Sequence, residues 1–113
     1  MLLCGSHRLV VLLDGLEDPL PLVRFNCLKG LVRLGERRAL PVGQRLLADE
    51  PCWWVRRAAV SAVASLGRGG AVTPLLRAVG DPFWRVRHAA LKALAVLGAN
   101  DASLRAAIED GLD

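Results

Sequence analysis

The segment Asp81-Pro-Phe-Trp-Arg-Val-Arg-His-Ala-Ala-Leu-Lys-Ala-Leu-Ala-Val-Leu-Gly98 carries the start, the apolar face and the stop of one helix. An acid followed by proline suits a helix start, because the proline N–H would have no partner there and the acid opposes the positive pole of the dipole. The closing glycine suits a left-handed terminator. The same pattern recurs upstream, in Glu50-Pro-Cys-Trp-Trp-Val-Arg through Leu66-Gly67 and in Asp18-Pro-Leu-Pro-Leu-Val-Arg through Leu34-Gly35. Val23, Val55 and Val86 stand 32 and 31 residues apart, and the Leu-Gly pairs keep that spacing. Such a period marks a chain built from stacked copies of one small unit. The expected first helices of the units, the A helices, cover 19–34, 51–66 and 82–97.

Stepping about 100° per residue from Val55 places Ala59, Ala62, Val63 and Leu66 on one stripe, the core of the unit. Trp53 and Val60 lie on a lateral stripe, matched by Trp84 with Leu91 and by Pro21 with Leu28. The opposite flank, Asn26, Ala58 and Ala89, is small. Large against small is what stacking requires, since each helix must fit the next copy. Shorter segments between the A helices, Ala39–Ala48 and Ala71–Gly80, read as antiparallel B helices; Leu9–Leu16 matches them, and Asp101–Glu109 is a last, shorter copy. The expectation is one all-α domain, 1–113: a solenoid of antiparallel helix pairs with about seven helices, a partial repeat 1–17 and repeats 18–49, 50–80 and 81–111. The first repeat departs from the others, with Cys27 and Gly30 in place of alanines and Gly43 where the next B helix has Leu75. A helical glycine costs about 1 kcal/mol relative to alanine. Either stability is lowest near Gly43, or Phe25 and a neighbouring side chain fill the gap.

The pattern Asp-Pro-x-Trp-x-Val-Arg-x-Ala-Ala-x-x-Ala-Leu-x-x-Leu-Gly, nearly intact in Asp81–Gly98, resembles HEAT repeats, specifically the short repeats of the phycobilisome-lyase type. The resemblance runs from about Arg8 to Glu109. It implies an α-solenoid with A helices on the convex side and B helices on the concave side, used to hold other proteins. It also implies, as a lesser alternative, an accessory subunit of a bilin lyase.

Composition agrees with packed helices: 53% hydrophobic, 23% charged, 4% aromatic and no tyrosine among 113 residues, which excludes a disordered chain and disfavours a β-sandwich. Thirteen arginines and two lysines against eleven acids give a net charge of +4, and the longest basic runs are only the pairs Arg37-Arg38 and Arg56-Arg57. Nucleic acid is therefore an unfavoured partner. Cys4, Cys27 and Cys52 have neither disulfide-framework nor zinc spacing. With no leader pattern at the start and no aliphatic run longer than Leu9–Leu13, a reduced, cytoplasmic protein outside the membrane is expected.

No catalytic constellation is legible, and no enzyme activity, cofactor or metal is expected. Deoxyhypusine hydroxylase, a HEAT-repeat enzyme, holds iron through His-Glu pairs, whereas His88 is followed by Ala89 and His7 is isolated. Arg24, Arg56 and Arg87, each six residues after Asp18, Glu50 and Asp81, read as a ladder bonding adjacent repeats rather than as an anion-binding row. Trp53 and Trp84 read as packing residues on the lateral stripe. Trp54 lies on another face and, with Leu22 and Phe25, forms a candidate apolar patch for a protein partner. On the concave side Arg45 and Arg77 are the candidates for an anion or nucleic-acid contact, in the manner of the DNA glycosylase built from HEAT-like repeats, although Asp14 holds the position equivalent to Arg77. Apolar solenoid ends make self-association an expectation.

Overall fold

Three helices with nearly the same register lie side by side in the computed structural model, which describes residues 4–112 and the side chains of 8–112. The chain forms seven α-helices over those residues: α1 (Cys4–Gly15), α2 (Pro21–Arg33), α3 (Leu40–Asp49), α4 (Trp53–Gly67), α5 (Val72–Ala78), α6 (Trp84–Asn100) and α7 (Ala102–Leu112). Short 3₁₀ turns, Arg37–Ala39 and Arg68–Ala71, lead into α3 and α5. Helices α2, α4 and α6 are the A layer and pack on one another in order; α1, α3, α5 and α7 are the B layer. The body measures 51 × 28 × 16 Å, with a radius of gyration of 14.4 Å against about 13 Å for a compact chain of this length. Met1 to Leu3 of the expected partial repeat, and the side chains of Cys4 and His7, lie outside the described residues.

The core stripe is as expected: Val55, Ala59, Ala62, Val63 and Leu66 are all buried. The buried valines and leucine of the stripe each contribute roughly 1.5–3 kcal/mol relative to leaving them exposed. The lateral column behaves unequally. Leu28 and Val60 are sealed because α4 and α6 lie against them, but Trp84 is 53% exposed and Leu91 45%, because no further A helix lies against α6. Trp84, expected as a packing residue, is therefore exposed among the described residues. A second departure concerns the pairing of layers: α3 packs chiefly on α4, which follows it, and hardly on α2, which precedes it.

Each A helix starts two residues later than expected. The backbone N–H groups of Leu20, Cys52 and Phe83 donate to the carboxylates of Asp18, Glu50 and Asp81 at 2.9, 3.1 and 2.9 Å, closing a turn ahead of the helix. Leu20, Cys52 and Phe83 are extended residues at the N-cap, so the Asp-Pro and Glu-Pro pairs lie outside the helix. At the other end only Gly35 takes the left-handed conformation, at φ +64°. Gly67 is helical, and Arg68 adopts the positive φ (46°) in its place. Gly98 lies inside α6, where a Cβ would stand 3.5 Å from the Arg105 backbone of α7. Neither glycine takes the left-handed terminating conformation: Gly67 admits its neighbours closely, since a Cβ there would stand 3.3 Å from Ala71 and Leu40, while Gly98 makes ordinary contact.

Gly43 is buried, and a Cβ on it would meet Ala62 and Val63 at 3.8 Å, ordinary contact distance, so a methyl group has room there. Phe25 does not fill that position, because it packs against Trp54. The run Trp53–Ala78 contains an 18-residue stretch apolar enough by composition to cross a membrane, with mean hydropathy 1.2. Half of that stretch is buried inside the protein, however, and the turn at Arg68 divides the run into α4 and α5.

Candidate functional site

The recurrent arginines are consumed by the stack. Arg24 on α2 grips Glu50 through two parallel bonds of 2.7 and 2.8 Å and donates to the Asp18 carbonyl at 2.8 Å. Arg56 on α4 repeats this with Asp81 at 2.8 and 3.0 Å and with the Glu50 carbonyl at 2.9 Å. Each guanidinium therefore ties the entry turn of its own helix to that of the next repeat, in a bidentate geometry that fixes register. Arg87 bonds the Asp81 and Pro82 carbonyls in the same way but has no carboxylate partner among the described residues. Burial, the largest single influence, pushes the Glu50 carboxyl up, but the Arg24 guanidinium, the Cys52 N–H and the Arg56 charge together hold it below its ordinary value. Asp81 is likewise pushed up by burial and, on balance, held low by Arg56, the Phe83 N–H and Arg87.

All five aromatic residues of the chain gather along the first turns of the A helices. Phe25 meets Trp54 edge to face, with centroids 5.4 Å apart and planes at 70°. Trp53 stacks on Phe83 at 4.3 Å, and Phe83 leads to Trp84 at 6.5 Å. Cations cover both groups: the Lys29 ammonium lies 5.1 Å from the Phe25 ring and the Arg85 guanidinium 4.6 Å from that of Trp84. Contacts of this kind contribute about 0.5–1.5 kcal/mol each beyond the area they bury.

Between α2 and α4 the aromatic row borders an open groove of about 420 Å³, a volume typical of ligand clefts, roughly 300–1,000 Å³. Phe25, Trp53, Trp54, Val32 and Ala58 form its apolar floor, and Lys29, Arg33, Arg57 and Ser61 its rim. Phe25, Trp53 and Trp54 are half-buried, so each offers ring surface to an occupant. A second groove of about 400 Å³, sharing Arg57 and Ser61 with the first, runs between α4 and α6 to His88 and Lys92.

Of the candidate partner-binding residues, Phe25 and Trp54 are brought together in this groove, whereas Leu22 is 59% exposed and does not line it. On the B layer, Arg45 is paired with Glu17 of the α1–α2 loop, and Arg77 lines a separate groove between α3 and α5. The two do not form a free cationic row. Trp53, Lys29 and Arg57 belong to the site and were not among the candidates; Lys29 meets Phe25 as an i, i+4 pair within α2, whereas the meeting of Phe25 with Trp54 depends on the packing of α2 against α4. Among the described residues no three His, Cys, Asp or Glu side chains converge to hold a metal, and Cys27 and Cys52 are free thiols.

Two layers of short helices, advancing by one register of 31–32 residues and bolted by an arginine ladder, define an α-solenoid. The HEAT-repeat profile matches residues 9–95 and, in an overlapping second alignment, 44–112; the chain belongs to the HEAT-repeat family. No curated protein matches it significantly. Repeats of this family generally mediate protein–protein interaction or scaffolding.

Proposed function

We propose that this chain is a noncatalytic protein-binding module whose recognition surface is the α2–α4 groove. The observation that carries the reading is the half-open Phe25–Trp54 pair beside a cleft of about 420 Å³, while the polar groups at the repeat junctions are already satisfied internally. Aromatic anchors in a partly desolvated cleft, ringed by long cationic side chains, are the usual makings of an interface hot spot. The alternative anion site on the B layer is disfavoured, because Arg45 is engaged with Glu17. The 31–32-residue register and the near-intact Asp81–Gly98 signature support assigning the repeats to the phycobilisome-lyase type.

The test is a photo-crosslinking residue at Ser61, on the exposed wall of the groove, used to trap a partner from native extract. The trapped protein is then purified and titrated against the whole chain. A defined partner whose affinity falls at least about tenfold, or about 1.4 kcal/mol, in the Phe25→Ala, Trp54→Ala variant supports the reading. Unchanged affinity in that variant refutes it.

A further inference from the structure

We infer that the occupant of the α2–α4 groove is an acidic protein segment that inserts an apolar side chain beside Trp54. This rests on the binding-module reading and adds the chemistry of the partner. The three A helices, Pro21–Arg33, Trp53–Gly67 and Trp84–Asn100, contain no aspartate or glutamate, although the chain has eleven acids. They contain eight of its fifteen lysines and arginines. The modest net charge of +4 therefore hides a one-sided distribution, with acids confined to the B helices, the turns and the chain end.

Two of those eight cations, Arg24 and Arg56, are neutralised by Glu50 and Asp81. The rim cations of the groove are different. Lys29, Arg33 and Arg57 are exposed and make no ion pair among the described residues, and Lys92 continues the charge along the neighbouring cleft. Clustered like charges without counter-charges raise the local potential and favour an oppositely charged ligand. The floor then decides what carries the negative charge. Phe25, Trp53, Trp54, Val32 and Ala58 offer an apolar surface to an inserted side chain, and Lys29, Arg33 and Arg57 flank it from the two helices that bound the groove. A nucleic-acid strand needs a continuous track of cations spaced along its phosphates. A peptide with an apolar anchor flanked by carboxylates satisfies both the floor and the rim.

The experiment is selection of a random dodecapeptide phage library on the immobilised full chain, after which the enriched peptides are assayed on Arg57→Glu and on Trp54→Ala. Arg57 is exposed and makes no ion pair among the described residues, so Arg57→Glu keeps the fold even where Trp54→Ala weakens it; circular dichroism verifies both. Expected are enriched peptides of net negative charge with at least one Leu, Ile, Phe or Trp, lost on both variants. Their Kd should rise about fivefold or more between about 50 and about 300 mM NaCl, because the rim charges are screened. Enrichment of neutral or basic peptides that are still lost on Trp54→Ala overturns the acidic class while leaving the binding module standing. Retention of the enriched peptides by Arg57→Glu, or no enrichment at all, overturns the proposal. So does tighter binding of a single-stranded oligonucleotide of about 20 nucleotides than of any selected peptide.

Discussion

Arg24 and Arg56 show how one side chain sets both register and stability. Their side chains are each only 13% exposed, and those of Glu50 and Asp81, which they hold, 1% and 7%. Removing one partner leaves a buried charge uncompensated, so Arg56→Ala should lose about 3 kcal/mol. Arg87→Ala, an exposed residue bonding only carbonyls, should lose about 1 kcal/mol or less. Urea unfolding of the two variants checks the contrast. The same carboxyls dictate an acid limit. Because both are held below their ordinary values in the folded chain, their contribution is complete above about pH 4, the unfolded range. It is lost as the pH falls through the lower folded values. Unfolding free energy should therefore drop steeply below about pH 4, and Asp81→Asn, measured across the same pH series, should show a shallower drop.

At the scale of the helix, glycines separate what was readable from what was not. Gly43, buried in α3, has room for a methyl group at 3.8 Å from Ala62 and Val63. Gly43→Ala should raise stability by up to about 1 kcal/mol, visible as a higher Tm. Gly15 at the end of α1 is the opposite case, because a Cβ there would collide with the Cys27 sulfur on α2. Gly15→Ala should lower the Tm, and adding Cys27→Ala should restore most of the loss; no recovery in the double variant would locate the strain elsewhere. The period, the helix order and the core stripe were legible because burial and spacing are properties of the chain itself. The helix starts were set two residues early because an acid before proline can serve the dipole or close a turn, and here Asp18, Glu50 and Asp81 do the latter. Gly67 was misread for a similar reason, since terminating a helix and admitting a neighbour leave the same letter. The site was half legible: Trp54 and Phe25 followed from helical position, but the acid-free A layer is seen only when charges are sorted by helix instead of by runs along the chain.

Over the whole molecule, equivalent residues need not be equivalent in energy, because a solenoid residue is defined by its own repeat and by the one stacked beside it. Leu28, Val60 and Leu91 occupy one column of the repeat; Leu28 is 0% exposed, Val60 1% and Leu91 45%. The same substitution at the two leucines therefore isolates the contribution of the neighbouring helix. Leu28→Ala removes side-chain atoms enclosed by α4 and leaves a cavity, at a cost of about 2–5 kcal/mol. Leu91→Ala removes atoms that already face water and should change stability by about 0.5 kcal/mol or less in dilute solution. The difference also reports on stacking of whole molecules through the open side of α6, where Trp84 and Leu91 are exposed together. If copies associate there, Leu91 becomes enclosed as Leu28 is, and mass action stabilises the unsubstituted protein with concentration. Unfolding measured at about 5 and about 200 µM protein should then show a rising midpoint that Leu91→Ala abolishes, with a matching loss of the larger species in sedimentation velocity. A midpoint independent of concentration in both proteins would confine the open face of α6 to the monomer.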